Sequence, residues 1–359
     1  MLGISRAVLL VMLGRTLCLG SEPTLSPVFR SGTEGYHTFR IPAIVRATNG
    51  VLLAFAEGRK NSASDTGDID VVLKRSADNG SSWKPIQVVS EDGANTVGNP
   101  TPLVDSLSGK VLLLTTRNAG NVTEAQVRLG LVQDRRVFIQ ESADNGVTWS
   151  APRQITAQVK RDAWRCYATG PGHGIQLTRG SHAGRLIAPC DHTTTNATDW
   201  SACGAHLVYS DDHGTTWRIG ADGSPDNGWI NPNECSAVEL VDGKVYTLAR
   251  DQEGSAAGNR AFAFSSDAGA SFDAPFAIET NLVSPVVQGA LLRWSAIDHG
   301  GQTNRLLFSA PADPSERRTM CIRCSFDESR TWSTAKTVYD GPSAYSDMVR
   351  MGNERLGLL

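Results

Sequence analysis

The sequence lacks an apolar run that is long enough to cross a membrane. Among its 359 residues the only long apolar stretch is Ala7–Leu13, and a basic residue interrupts the apolar region soon after it. Crossing the hydrocarbon core of a bilayer takes about 20 apolar residues. Arg6 before this stretch and the small residues Cys18 and Gly20 after it are typical of a secretory signal. We therefore expect no membrane span and a signal peptide at 1–20. A mis-assigned start followed by a disordered tail is the alternative.

The sequence also lacks an excess of one charge and a pattern of metal ligands. Its 34 basic and 37 acidic residues give a net charge of −3 and are spread along the chain, without the basic stripe that nucleic acid requires. Cys321 and Cys324 form a C-x-x-C pair that has no second pair at zinc-ligand spacing, and a strand would point their thiols to opposite faces. We expect neither a nucleic-acid partner nor a metal. If the chain is exported, its cysteines can form disulfides, and the sequence does not determine their pairing.

What the sequence does contain is a repeated turn motif. In this motif the aspartate can accept hydrogen bonds from turn amides, the glycine supplies a positive φ, and the aromatic side chain packs between strands. The copies start 55 to 68 residues apart, which suits a four-stranded antiparallel blade and is too long for an ankyrin or tetratricopeptide unit. The motif predicts an all-β propeller and by itself carries no chemistry. The pattern S-x-D-x-G-x-x-(W/F) occurs at 76–83, 142–149, 210–217 and 265–272, and a fifth copy at 325–332 has Ser329 in place of the glycine.

A second motif stands before the first repeat, where residues 36–43 read YHTFRIPA. This segment resembles the Phe-Arg-Ile-Pro signature of the sialidases (neuraminidases) of the bacterial and lysosomal type, and the repeats make the resemblance specific from about Pro27 to the C-terminal end. The resemblance implies a six-bladed β-propeller that removes terminal sialic acid from glycans without a metal or an organic cofactor. Together with the signal-like N-terminus, it implies a secreted or lysosomal enzyme whose partners are sialylated glycans.

In that family three arginines bind the carboxylate of sialic acid, because a planar guanidinium matches a carboxylate bidentately. The resemblance makes Arg40 of the signature the first of them and Arg250, in the segment YTLARD, the second. The third is Arg317, which stands eight residues before the last repeat, and the adjacent Arg318 is the alternative.

The resemblance also implies a catalytic pair. Tyr345, in the segment GPSAYS, resembles the sialidase nucleophile, and Glu234, in the segment NPNECS, matches the glutamate that pairs with it. The anomeric carbon of sialic acid carries its own carboxylate, which would repel an attacking aspartate or glutamate. A neutral phenol can approach and lose its proton as it attacks. The expected reaction therefore retains configuration through a covalent sialyl-tyrosine.

Asp65 matches the general acid, and it follows Arg59 by six residues. Asp68 and Asp70 are its rivals, although their alternation with an apolar residue is more typical of the entry to a strand. Arg59 resembles an additional pocket arginine near the C4 hydroxyl of the sugar. Asn99 occupies the position where relatives often have an aspartate, so the recognition of C4 is expected to differ.

Two alternatives to hydrolysis remain at this stage. One is a trans-sialidase, in which an acceptor sugar intercepts the intermediate, and the other is a non-catalytic glycan-binding propeller. A pure binder would not need the set of Asp65, Glu234 and Tyr345. Relatives usually continue for some tens of residues beyond the tyrosine, whereas fourteen residues follow it here. We therefore expect a catalytic domain at 21–359 that is truncated at its C-terminus, with an incomplete last blade.

A glycine-rich segment at 168–175, ATGPGHGI, also resembles a family segment. It lacks the strand-to-helix context of a phosphate loop, so phosphate binding is not expected. We expect it to shape a pocket wall.

Overall fold

The computed structural model describes residues 7–13, 23–194, 202–223, 230–252, 258–352 and 355–359. The protein is 47% strand and 5% helix, as an all-β sequence predicts. In the described segments no helix is long and apolar enough to cross a membrane.

The helical elements are α1 (Glu124–Arg128), α2 (Thr156–Val159) and the 3-10 turns Gly180–His182 and Ile297–His299. The strands of the first half are β1 (Ala7–Leu13), β2 (Thr24–Arg30), β3 (Thr38–Arg46), β4 (Leu52–Arg59), β5 (Ile69–Ser76), β6 (Gln87–Ser90), β7 (Thr96–Val104), β8 (Val111–Asn118), β9 (Arg136–Ser142), β10 (Arg153–Gln154), β11 (Tyr167–Thr169) and β12 (Ile175–Gln176). Those of the second half are β13 (Leu186–Thr193), β14 (Cys203–Ser210), β15 (Arg218–Gly223), β16 (Pro232–Glu239), β17 (Val245–Asp251), β18 (Arg260–Ser265), β19 (Ala277–Ile278), β20 (Ala290–Ser295), β21 (Arg305–Pro311), β22 (Arg318–Ser325), β23 (Lys336–Pro342), β24 (Met348–Arg350) and β25 (Leu356–Leu358).

Strands that follow one another in the chain are mostly neighbours in a sheet. An eight-stranded sheet divides into the antiparallel groups β3 to β6 and β7 to β10, which one parallel bridge between Ile69 and Thr96 joins. Three further antiparallel sheets contain β11 to β15, β16 to β19 and β20 to β23. This up-and-down order places the connecting loops at the two ends of the strands, where they can line a site.

The remaining sheet brings the two ends of the chain together in the order β2-β1-β25-β24. In it β1 pairs antiparallel with both β2 and β25. Where the sequence predicted an incomplete last blade, the described residues form a four-stranded sheet. The strand β1 belongs to the segment 1–20 that the sequence assigned to a signal peptide. The structure pairs β1 with β25, and cleavage after Gly20 stays a prediction.

The strands in the middle of the sheets are buried on both faces. Every residue of β4, β8, β13 and β17 is buried, and each of these strands begins with mostly apolar or small residues and ends with charged or polar ones. The core lies between neighbouring sheets, and in one cluster Phe29 and Phe39 pack with Val349 and Met351. This cluster joins the sheet of the chain ends to strand β3. The described cysteines are buried and form no disulfide: Cys166, Cys190, Cys203, Cys235, Cys321 and Cys324.

The five repeats form the turns that the sequence predicted. In the first copy the Ser76 hydroxyl accepts a hydrogen bond from the Gly80 amide at 2.8 Å, and the Asp78 carboxylate accepts bonds from the amide and hydroxyl of Ser82 at 2.9 and 2.5 Å. The bonds from Ser82, with that from Ser76, lower the pKa of Asp78 to about 2. The other copies repeat the serine and aspartate contacts. In the last copy Ser329 adopts φ 72°, close to the values of the glycines it replaces.

The glycine of the third repeat is required by both conformation and space, and we predict that Gly214→Ala destabilises the protein by about 3 kcal/mol. Its φ is +84°, and a Cβ would lie 1.9 Å from Cδ2 of the buried Leu112. The left-handed conformation costs a non-glycine residue about 1 kcal/mol, and overpacking adds about 2 kcal/mol. Gly32→Ala is the matched control, because Gly32 has φ +79° and no atom within 4 Å of the added Cβ. Urea unfolding should show about 1 kcal/mol for the control, and equal losses would contradict the role of Leu112.

Candidate active site

One cavity of about 240 Å³ brings together residues from most of the sheets. Its position where several sheets meet makes it a candidate site, since ligand pockets are concave and combine few but well-placed polar groups. The rivals Arg318, Asp68 and Asp70 are not among its lining residues. All eight residues that the sequence singled out line it: Arg40, Arg59, Asp65, Asn99, Glu234, Arg250, Arg317 and Tyr345.

Three strands have bulges beside prolines, and cavity residues lie at these bulges. The pairing of β3, β7 and β16 with the next strand is interrupted beside Pro42, Pro100 and Pro232. A proline has no N–H to donate to the ladder, which favours a bulge at Pro42 and Pro100, whereas Pro232 is paired with Asp251 and the bulge directly follows it. The cavity residues at these three bulges include Arg40, Asn99 and Glu234.

The centre of the cavity is a tyrosine bonded to a carboxylate. The Tyr345 hydroxyl donates a hydrogen bond to Oε1 of Glu234. The Arg250 guanidinium contacts both partners, at 2.8 Å from Oε2 of Glu234 and 3.4 Å from the phenolic oxygen. Burial and the Glu234 charge raise the pKa of Tyr345, while Arg250 opposes the shift. The phenol is therefore neutral, and Glu234 is placed to accept its proton.

Three guanidinium groups surround this phenol. The Cζ atoms of Arg40 and Arg317 lie 5.7 and 5.9 Å from the centroid of the Tyr345 ring, and Arg250 contacts its hydroxyl. Arg317 is further held by a 2.8 Å bond from Nη2 to the carbonyl of Val286. Guanidinium groups in such an arrangement can bind a carboxylate. The alternative Arg318 is half exposed and lies 3.9 Å from Glu316.

Asp65 lies at the mouth of the cavity. Its side chain is 66% exposed, and its carboxylate is 2.7 Å from the guanidinium groups of both Arg40 and Arg59. Asp68 pairs instead with Lys60 at 2.9 Å, and Asp70 is buried with the Tyr36 hydroxyl 2.8 Å away. Of the three carboxylates, only Asp65 combines access to solvent with a place beside the guanidiniums.

Glu57 is a site residue that the sequence analysis missed. Its Oε2 accepts bonds from Nε and Nη2 of Arg59 at 3.1 and 2.6 Å, and its Oε1 accepts a bond from the Asn99 amide at 2.9 Å. A Cβ on Gly98 would lie 2.4 Å from Oε1 of Glu57, so this approach needs the glycine. Glu57 and Arg59 are separated by one residue on the same strand, so both charged side chains lie on one face of the sheet. This spacing could have identified Glu57 from the sequence.

Other missed residues form the floor of the cavity. The Asn233 side chain links Asp191 to Arg250, since its Nδ2 donates to Oδ1 of Asp191 at 3.0 Å and its Oδ1 accepts from Arg250 at 2.8 Å. Burial, then the Glu234 charge, raises the pKa of Asp191. Burial also raises the pKa of Glu124, although Arg135 opposes the shift. Asn233 adjoins Glu234 in the sequence, but no local sequence motif marks Asp191 or Glu124.

The repeats and the fold define a class of protein. The BNR repeat-like domain family matches residues 50–358, which is most of the chain. The solved structure of the Hadza microbial sialidase Hz136 superposes with a TM-score of 0.77 at 26% identity and covers 89% of this chain and 62% of that one. Such structural neighbours are β-propellers.

Curated relatives narrow this class to one family. An exo-alpha-sialidase of Aspergillus fumigatus is 33% identical over 371 residues, which cover 93% of this chain and 83% of the relative. A sialidase of Micromonospora viridifaciens is 34% identical over 361 residues, which cover 95% of this chain and 52% of the relative. This chain therefore spans about half the length of the latter protein. The chain belongs to the sialidase family, as its Phe-Arg-Ile-Pro segment predicted.

Proposed function

We propose that the chain is an exo-α-sialidase that removes terminal sialic acid from glycoproteins, glycolipids and oligosaccharides with retention of configuration. The observation that carries this proposal is the Tyr345–Glu234 contact among three guanidinium groups. A phenol paired with a base suits attack at a carbon that carries a carboxylate, and the guanidiniums suit that carboxylate. The sialidase relatives support the choice of substrate.

Binding begins with the carboxylate of the sugar, which Arg40, Arg250 and Arg317 hold together. In the free protein Arg40 is bonded to Asp65 at 2.7 Å. The substrate carboxylate competes with Asp65 for this guanidinium because both are anions that it binds in the same way. Binding thus frees the Asp65 carboxylate from Arg40, and the freed carboxyl takes up a proton from solvent and faces the glycosidic oxygen. Arg59 and Asn99 face the C4 hydroxyl.

In the first step the Tyr345 oxygen attacks the anomeric carbon while its proton passes to Glu234. The glycosidic carbon–oxygen bond breaks through an oxocarbenium-like transition state, and Asp65 donates its proton to the leaving oxygen. The products are the free aglycone, a covalent sialyl-Tyr345, a protonated Glu234 and an ionised Asp65.

In the second step Asp65 takes a proton from water, and the water oxygen attacks the anomeric carbon. The bond to Tyr345 breaks, and the phenolic oxygen takes back the proton from Glu234. Two successive inversions at the anomeric carbon give net retention, and the protein returns to its starting protonation state.

Proton NMR of the reaction with sialyl-lactose tests this mechanism. We expect the α-anomer of free sialic acid to appear first and the β-anomer to follow by mutarotation. The β-anomer appearing first would contradict the covalent intermediate. Binding of the glycan without release would favour the non-catalytic propeller. Transfer to a large excess of added lactose in preference to water would favour the trans-sialidase.

The fold-level expectations enter the same proposal. We propose that the groups β3 to β6, β7 to β10, β11 to β15, β16 to β19 and β20 to β23 are five blades of a propeller formed by 21–359, and that β2, β24 and β25 form its sixth, incomplete blade. Secretion, or a lysosomal location, is part of the proposal as well. N-terminal sequencing of the protein from the medium of its source would test cleavage after Gly20, and a retained β1 would contradict it.

A further inference from the structure

The nucleophile lies on a segment that neither flanking strand includes. Residues 343–347, between β23 and β24, have no regular secondary structure, and Tyr345 is their central residue. Buried side chains bind its neighbour Ser346, whose amide donates to Oε1 of Gln288 and whose carbonyl accepts from Nε2, both at 3.1 Å. The Ser346 hydroxyl is 2.9 Å from that of Ser309. Side-chain contacts therefore help to set the position of the phenol.

Asp347 anchors the other side of this segment. It is fully buried, and its Oδ1 is bonded to Nδ1 of His173 at 2.7 Å and to its neighbour, the Met348 amide, at 2.9 Å. Its Oδ2 accepts a bond of 2.8 Å from the Ile44 amide, on the strand that carries Arg40. One carboxylate thus connects the tyrosine segment, the strand of the first carboxylate-binding arginine and His173.

His173 belongs to the glycine-rich segment whose role the sequence left open. Gly172 has φ +91°, and a Cβ there would lie 3.3 Å from Oδ1 of Asp347 and 3.5 Å from Nε2 of Gln288. The carbonyl of Pro171 also accepts a bond from Gln288 at 3.4 Å. Glycine therefore lets the segment pack directly against the groups that hold Tyr345, and it delivers the His173 ring to Asp347.

We propose that His173 is a positioning residue for the reaction: through Asp347, it fixes the segment that presents Tyr345 to the anomeric carbon. This role rests on the proposed function. Burial lowers the pKa of His173, but the charge of Asp347 and the hydrogen bond to it outweigh burial and raise the pKa. The ring therefore keeps its proton to higher pH than a free histidine. A displacement of about 1 Å in a reacting group can cost about a hundredfold in rate.

Two variants of this residue test the proposal. His173→Leu removes the donor, whereas His173→Asn keeps a neutral donor near the place of Nδ1. We expect His173→Leu to lower kcat for an aryl α-sialoside about thirtyfold with KM within about threefold, because the arginines still bind the substrate. The rate of labelling of Tyr345 by a 2,3-difluorinated sialic acid should fall in parallel. The kcat of His173→Asn should be at least about threefold higher than that of His173→Leu. If the leucine variant does not fold, His173→Asn is compared directly with the wild-type protein.

His213→Leu is the matched control. Its Nδ1 is 2.7 Å from the fully buried Asp105, so a histidine–aspartate contact of the same length is removed in a repeat turn away from the cavity. All rates are divided by the fraction of protein that the inhibitor labels at completion. A control that loses kcat and labelling rate equally, or a His173 variant that keeps both, overturns the positioning role. A wild-type protein that releases no sialic acid overturns the proposed function itself, and the positioning role with it.

Discussion

Tyr345→Phe is expected to lower kcat for sialyl-lactose by about a thousandfold or more while KM changes little. The substitution removes the oxygen that we propose forms the covalent bond, and no other group on the ring can replace it. The ring between Arg40 and Arg317 remains, so the arrangement of the guanidinium groups around it is expected to persist. Steady-state rates and mass spectrometry after treatment with a 2,3-difluorinated sialic acid measure the effect. The variant should show no sialyl adduct.

Tyr339→Phe supplies the control for this measurement. Tyr339 lies on β23, six residues before Tyr345, and packs against the cluster that contains Met320 and Val338 rather than in the cavity. Its loss of a phenolic oxygen should change kcat less than about twofold. If Tyr345→Phe keeps more than a tenth of the wild-type rate, or if the adduct forms on another residue, Tyr345 is not the nucleophile.

The parts of the fold that sequence could predict are those set by local chemistry. The Ser-Asp-Gly turns close on themselves within eight residues, so a pattern such as that at 76–83 determines its own hydrogen bonds. The predicted site residues came from family segments such as the Phe-Arg-Ile-Pro motif around Arg40. The structure brings all of them to one cavity. Their catalytic and binding roles remain proposals until variants are measured.

The parts that sequence could not predict depend on contacts between distant residues. Asn233 links Asp191 to Arg250, and Asp347 contacts both His173, between β11 and β12, and the Ile44 amide on β3. No periodicity marks such contacts, because each residue alone reads as an ordinary strand or loop charge. The pairing of β1 with β25 is missed for the same reason, since it joins opposite ends of the chain.

Asp65→Ala is expected to separate two kinds of substrate. A natural sialoside needs a proton on its leaving oxygen, whereas an aryl sialoside leaves as a stabilised phenolate. We therefore expect kcat for sialyl-lactose to fall about a thousandfold and kcat for the aryl substrate only about tenfold. The remaining loss on the aryl substrate reflects the second step, in which Asp65 takes the proton from water. Asp65 also pairs with Arg40, so its removal should leave KM unchanged or lower.

The control for Asp65→Ala is Asp68→Ala. Asp68 is the rival from the same loop, but its carboxylate pairs with Lys60 and does not line the cavity. Its removal should change both rates less than about threefold, because the partly exposed ion pair with Lys60 lies outside the cavity and no proton transfer is lost. Comparable losses on the two substrates with Asp65→Ala would remove this residue as the acid. A selective loss with Asp68→Ala would transfer the role to Asp68. A selective loss confined to Asp65→Ala, together with a missing adduct in Tyr345→Phe, would assign the role of proton donor to Asp65 and that of nucleophile to Tyr345.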